Sequence, residues 1–330
     1  MQVTGVSVIA RVHARKSYFL NKSDFEELLS FNFNQAADWL FKHKGYQGLI
    51  PVKGKLLDWQ TRVLLKEVSL FSIWAQGKFY ETLKWFVGQK ELINIKIAIR
   101  YLELEQKIKP EDLVDIGSWS YVRNGELADI QSINNLMDLY IKKPIYNFLK
   151  NALERYKNHK NLGFLETELD SEYYKLWISS TKSSITKNIL NSLISWKNLE
   201  TLIRCREIYK LDWIDAANLF AYSKEPFTLK VLSELYLSAF NQWKVILPYP
   251  FRNNIEFMKS EDINYGIILP LKKEFVSRCR SLITQSSFKP EGSLAFLYLK
   301  SIEIENIALC LQGIDMGFSK DEILGELVYV

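Results

Sequence analysis

Few residues in this chain are arranged to do chemistry. There are three histidines, His13, His43 and His159, and none has a second His or Cys at the short spacings a zinc site uses. His13 lies in the basic run Arg11–Lys16 and His43 between Lys42 and Lys44, so both are expected at the solvated surface. Three cysteines, Cys205, Cys279 and Cys310, stand singly in apolar or amphipathic stretches, which predicts buried thiols in a reducing compartment rather than a disulfide framework. Gly48 through Gly54-Lys55 superficially suggests a phosphate loop. It has one residue too many between the glycines, Pro51 inside, and Leu56 where a magnesium site wants Ser or Thr. No GxGxxG, GxSxG or DDxxD pattern occurs. The acidic pairs Glu26-Glu27, Glu103 with Glu105, and Asp321-Glu322 fall where helix caps or solvated faces are expected. The chemistry these residues predict is none: no catalysis, no cofactor, no metal, no nucleotide.

The elements that must carry these residues are helices. Fourteen glycines and eight prolines in 330 residues is a low share, and both residues punctuate turns. An apolar fraction of 48% with nine Trp and seventeen Tyr is ample for sizeable cores. Ser23-Asp24-Phe25-Glu26 and Ser319-Lys320-Asp321-Glu322 have the form of capping boxes. Pro110-Glu111-Asp112 looks like a first helical turn, with acids near the positive helix end. Helical periodicity runs through 58–87, with Gly77 and Gly88 as expected breaks, and through 132–158, parted at Pro144. It continues through 165–182, 183–207, 226–243, 270–286 and 293–316. Segments 45–55 and 117–126 are expected loops, as is Val245–Pro250, whose two prolines defeat a strand-like composition. The fold class is all-α.

One pattern recurs at nearly constant spacing. Asn94-Ile95, Asn198-Leu199 and Asn306-Ile307 each sit inside a strongly apolar helix, about a third of the chain apart. The positions eight and nine before each Asn are apolar: Trp85 and Phe86, Ile189 and Leu190, Leu297 and Tyr298. An acidic helix start follows each Asn, at Pro110-Glu111-Asp112, Asp212-Trp213 and Asp321-Glu322. This predicts an internal triplication into three similar helical domains, 1–110, 111–215 and 216–330. A buried unpaired amide costs about 1–3 kcal/mol, so each Asn is expected to bond a neighbouring backbone and fix packing. Facing a partner on a shared axis is the sharper alternative.

Charge is uneven. The net value is +5, but residues 1–110 carry an excess of basic residues and 291–330 an excess of acidic ones. Such asymmetry can steer assembly at low salt. Arg11, Arg15 and Lys16, together with Arg100 and Arg204 six residues beyond their asparagines, are the candidate partner contacts. No dense basic stripe points to nucleic acid. The basic residues follow the first apolar run, the reverse of a secretory signal, and no stretch approaches the roughly 18 apolar residues of a membrane span. A soluble, cytosolic chain is expected.

Ala10-Arg11-Val12-His13-Ala14-Arg15 resembles the opening of one family of rotary V/A-type ATPase components, the C subunit of prokaryotic enzymes and the d subunit of eukaryotic ones. The three Asn helices, the stretch Leu294 to Ile307, and Gly317-Phe318 are similar to that family's C-terminal signature. Ala308 departs from it, where many members carry a basic residue. The resemblance spans the whole chain. It implies a non-catalytic funnel or socket with pseudo-threefold symmetry, one copy per complex, peripheral on the cytosolic face of the membrane. The central stalk and the membrane proteolipid ring would be its partners, and it would pass torque for coupled H⁺ or Na⁺ transport. Two rivals remain. A helical-repeat scaffold or adaptor of another complex would need solenoid units of roughly 33–47 residues, far shorter than this period. An all-α enzyme with a dispersed site would be stabilised by its ligand.

Overall fold

A computed structural model describes residues 2–221, 227–247, 268–285 and 291–330; side chains are described from Ser7 onward, except those of Asn158 and His159. Among the described residues every regular element is a helix. Two compact units emerge: residues 1–87, 114–116 and 273–330 form one, and 88–113 with 117–272 the other.

The first unit is built around α15 (Gly292–Met316), which packs against α1 (Gln2–Lys16), α2 (Lys22–Leu28), α3 (Phe33–Lys42), α4 (Leu56–Ser72) and α16 (Lys320–Glu326). Every residue of α15 from Gly292 to Lys300 is buried. A helix apolar on all sides has to lie inside its neighbours, which explains the strong apolar run at 294–299. Phe296 meets Phe19 and Phe71 at ring separations of 5.3 and 5.6 Å, and Tyr298 stands edge-on to Phe86 and Phe275. Gly313 permits the close approach of α16, since a Cβ there would lie 2.5 Å from Ile323 Cδ1.

In the second unit, the later part of α5 (Lys78–Glu103) precedes α6 (Asn124–Ala128), α7 (Ile133–Tyr140), α8 (Tyr146–His159), α9 (Leu162–Ser180) and α10 (Ser184–Ile203). α10 runs into a π-helical turn at Arg204–Ile208, followed by α11 (Trp213–Asn218), α12 (Leu229–Leu237) and α13 (Trp243–Ile246). α8 packs on α9 and α9 on α10. Lys96 pairs with Asp170 at 2.5 Å, and Arg100 with Glu166 at 2.5 and 2.6 Å, lacing α5 to α9.

Several expectations change. The first capping box is not set by Ser23: Asn21 caps α2 and Asp24 reaches back to its N–H at 2.8 Å. A second box, Asn32 with Gln35, opens α3. Gly77 breaks the chain with φ 53°, but Gly88 lies inside α5, where it leaves room for the Tyr173 hydroxyl. Pro110–Asp112 is a single 3-10 turn rather than a helix start. The 226–243 stretch is divided, because Thr228 caps α12 and a 3-10 turn at Phe240–Gln242 separates it from α13. Segment 117–126 holds a 3-10 turn and the start of α6. Trp243–Ile246 is helical, and Pro248–Pro250 lie outside the described residues. The remaining long helices fall where periodicity put them, and Ser319 caps α16 with Glu322 as its capping-box partner.

Candidate functional site

All three repeat asparagines are buried. Asn198 Nδ2 donates to the Ala221 carbonyl at 2.8 Å and its Oδ1 accepts from the Ala221 N–H at 2.9 Å. Asn306 makes the same pair of bonds to Val328, at 2.8 and 3.3 Å. In both places the amide pairs with one residue's N–H and C=O as a β-ladder rung would, clamping the backbone just after a short capped helix (α11 and α16). Asn94 Nδ2 instead meets Asn124 Oδ1 at 3.5 Å, and Asn124 Nδ2 reaches the Leu113 carbonyl at 3.4 Å. Asn198 and Asn306 hold backbone directly and Asn94 reaches it through Asn124, and all three are buried.

The ends of the same three helices also match. Ten residues beyond each Asn stands an exposed apolar side chain: Leu104 at 64%, Ile208 at 68% and Met316 at 71% exposure. A left-handed residue follows, Glu105, Lys210 or Gly317. The carbonyls of Tyr101, Cys205 and Gly313 are then closed by the N–H groups of Gln106, Leu211 and Phe318 at 2.9, 3.0 and 3.0 Å. This is a Schellman-type stop, and in α10 the π-turn adds one residue to it. Counting forward from each Asn would have found these positions.

The candidate cations divide. Arg15 is turned inward: Nε donates to the buried Glu67 at 2.9 Å, Nη2 binds the other carboxylate oxygen, and the guanidinium lies 5.1 Å from the Tyr18 ring centre. Arg100 is engaged with Glu166. Arg11 lies over the Trp74 ring at 5.9 Å, Lys16 is half-buried and Arg204 exposed. Part of the charge asymmetry is likewise neutralised within the first unit, where Lys53 pairs with Asp315. His13 is exposed, but His43 is half-buried, stacked on Trp39 at 5.4 Å, with burial lowering its pKa below 6.5. The exposed placement expected for His43 fails because Tyr46 and the Trp39 face enclose it.

Two buried carboxylates were not signalled by any motif, although each stands three residues before a repeat Asn. Glu303 on α15 accepts from Lys300 Nζ at 2.6 Å, from the Tyr46 hydroxyl and from the Leu20 N–H. Lys300 is itself 2% exposed and lies 3.8 Å from the Tyr46 ring centre. Glu91 on α5 accepts from the Tyr140 hydroxyl at 2.6 Å and the Tyr121 N–H at 3.2 Å, with Ser120 Oγ at 2.5 Å. Burial and the neighbouring carboxyl push the Tyr46 and Tyr140 phenols well above 10. The Cys205 and Cys310 thiols are pushed up to about 12 by desolvation, and Cys279 higher still, so none is a ready nucleophile. Among the described residues no cluster of His, Cys, Asp or Glu could hold a metal, and no helix is long and apolar enough to cross a membrane.

Among the described residues this arrangement is packing and polar fastening. The profile of the ATP synthase (C/AC39) subunit family matches residues 8–326. The chain belongs to that family. The C subunit of the A-type ATP synthase of Halobacterium salinarum is 21% identical over 97% of this chain and 96% of its own length. That of Haloquadratum walsbyi is 23% identical over 99% and 100%. That of Methanosphaera stadtmanae is 26% identical over 77% of this chain and 62% of its own.

Proposed function

We propose that the chain is a non-catalytic rotor subunit of a V/A-type ATPase, a socket joining the central stalk to the membrane proteolipid ring. The family match over residues 8–326 carries this reading. It fits a protein of tightly packed helices with unreactive buried thiols, since a spacer that transmits torque needs stiffness and close-packed interiors resist deformation. In this reading one copy sits peripherally on the cytoplasmic side, and the ion chemistry, H⁺ or Na⁺, belongs to the ring.

The triplication is part of the same proposal. The matched asparagine clamps on α10 and α15 and the three matched helix stops support repetition of one helical unit, which we place at 1–110, 111–215 and 216–330. Those boundaries describe the ancestry of the sequence, while compact packing follows a different, two-part division. Three repeats would offer the rotor three similar attachment points.

Isolation of the membrane-bound ATPase should recover this chain with stalk and ring subunits, and the purified chain alone should hydrolyse no ATP. Recovery only with unrelated soluble proteins would overturn the proposal. Charge reversal at Arg11 and Lys16 should weaken that association chiefly at low salt.

A further inference from the structure

The Glu91 hub contains one hydrogen too few for a carboxylate. Glu91 is 1% exposed. Ser120 Oγ lies 2.5 Å from Glu91 Oε2 and also in close contact with the Val122 carbonyl oxygen, while accepting from the Val122 N–H at 3.3 Å. A serine hydroxyl has a single hydrogen to donate. If it goes to Glu91, the Ser120 and Val122 oxygens face each other lone pair to lone pair. If it goes to Val122, the contact with Glu91 holds no hydrogen unless Glu91 supplies one. A proton on Oε2 satisfies the contested contacts: Glu91 donates to Ser120, Ser120 donates to Val122, and Oε1 still accepts from Tyr140.

The surroundings agree. The titratable groups facing Glu91 are Tyr140 from α7, Tyr121 from the connection before α6, and Tyr173 from α9, with Glu126 of α6 beyond Tyr140. All are phenols or acids, and no cation is among them. A buried carboxyl without a counter-charge lowers its free energy by holding its proton.

We propose that Glu91 is a neutral carboxylic acid in the folded protein, and that loss of its proton loosens the joint between α5, the 117–122 connection and α7. Burial raises its pKa above the ordinary 4.5, in the direction the hydrogen count requires. The folded state then binds more protons than the unfolded chain above pH 4.5, so this group makes stability fall as pH rises through the window up to its folded value.

The test compares wild type with Glu91→Gln, whose amide can donate to Ser120 as the acid does. Melting temperatures of the full chain should match most closely at acid pH, with the variant gaining on wild type as pH rises. A difference that is flat with pH, or runs the opposite way, would overturn the proposal. Should the variant fail to fold, the ¹³C shift of the Glu91 carboxyl, assigned through its backbone in the wild-type chain, decides independently. A midpoint above 4.5 is expected, and one at or below it would sink the idea.

Discussion

Glu303 and Glu91 hold the same position relative to Asn306 and Asn94, both are buried, and both accept from a tyrosine hydroxyl and a backbone N–H. Their third partners differ. Glu303 has the ammonium of Lys300, so each of its three donors brings its own hydrogen. Glu91 has Ser120, whose one hydrogen is contested by Val122. At the position of Lys300, three residues earlier, α5 has Gly88, and the room this leaves is filled by Tyr173. The same hub is thus built once as an ion pair and once as a neutral acid. The price of burying a carboxyl is met by a counter-charge in one and a retained proton in the other.

The harshest way to break this comparison is Lys300→Met. It leaves Glu303 buried without its counter-charge, and chemical denaturation should show a loss of about 3–5 kcal/mol. Adding Glu303→Gln should recover much of that loss, and a double variant as unstable as the single one would deny the pair its role.

The paired tyrosines sharpen the contrast at lower energy. Hydrogen bonds to charged groups contribute about 1.5–3 kcal/mol and neutral ones about 0.5–1.5. Tyr46→Phe should therefore cost more than Tyr140→Phe in the same denaturation assay. Equal costs would mean that the two carboxyls share one charge state.

His43 and Glu91 should also respond to pH in opposite directions. His43, beside the Glu303 hub, has its pKa lowered by burial, which outweighs the raising effects of Glu303 and Asp24. The unfolded chain then binds more protons than the folded one just below pH 6.5, so stability falls on acidification through that window. His43→Gln should flatten the acid side of a melting profile, whereas the Glu91 hub contributes a slope of the other sign. The smallest effect belongs to the helix ends. Leu104→Ser, Ile208→Ser and Met316→Ser should each change stability by about 0.5 kcal/mol or less, because these side chains are exposed. Weakened co-purification with ring or stalk subunits would then assign them to an interface.

Periodicity and caps made most helices legible, because a helix writes its buried stripe and its termini into adjacent residues. Ser319 with Glu322 is such a local signal. Asn21 was hidden because Ser23, two residues on, is an equally good cap by type, and only the geometry chooses between them. Gly88 was misread as a break because the reason for it, the Tyr173 hydroxyl, lies far along the chain. The polar hubs were illegible for the same cause: Glu303 meets Tyr46 and Leu20, and Arg15 meets Glu67, across separations no motif spans. The burial of the repeat asparagines followed from their apolar setting, but the segments they clamp did not.

The stops of the long helices also leave room for improvement by design. Two of the three place a residue with a Cβ, Glu105 and Lys210, in the left-handed conformation where the third has Gly317, and Lys160 does the same at the end of α8. That geometry is strained for any side chain but costs glycine nothing sterically. The chain therefore carries slack at three surface positions that touch no hub, and a more rugged version of the protein could start from glycine at those sites.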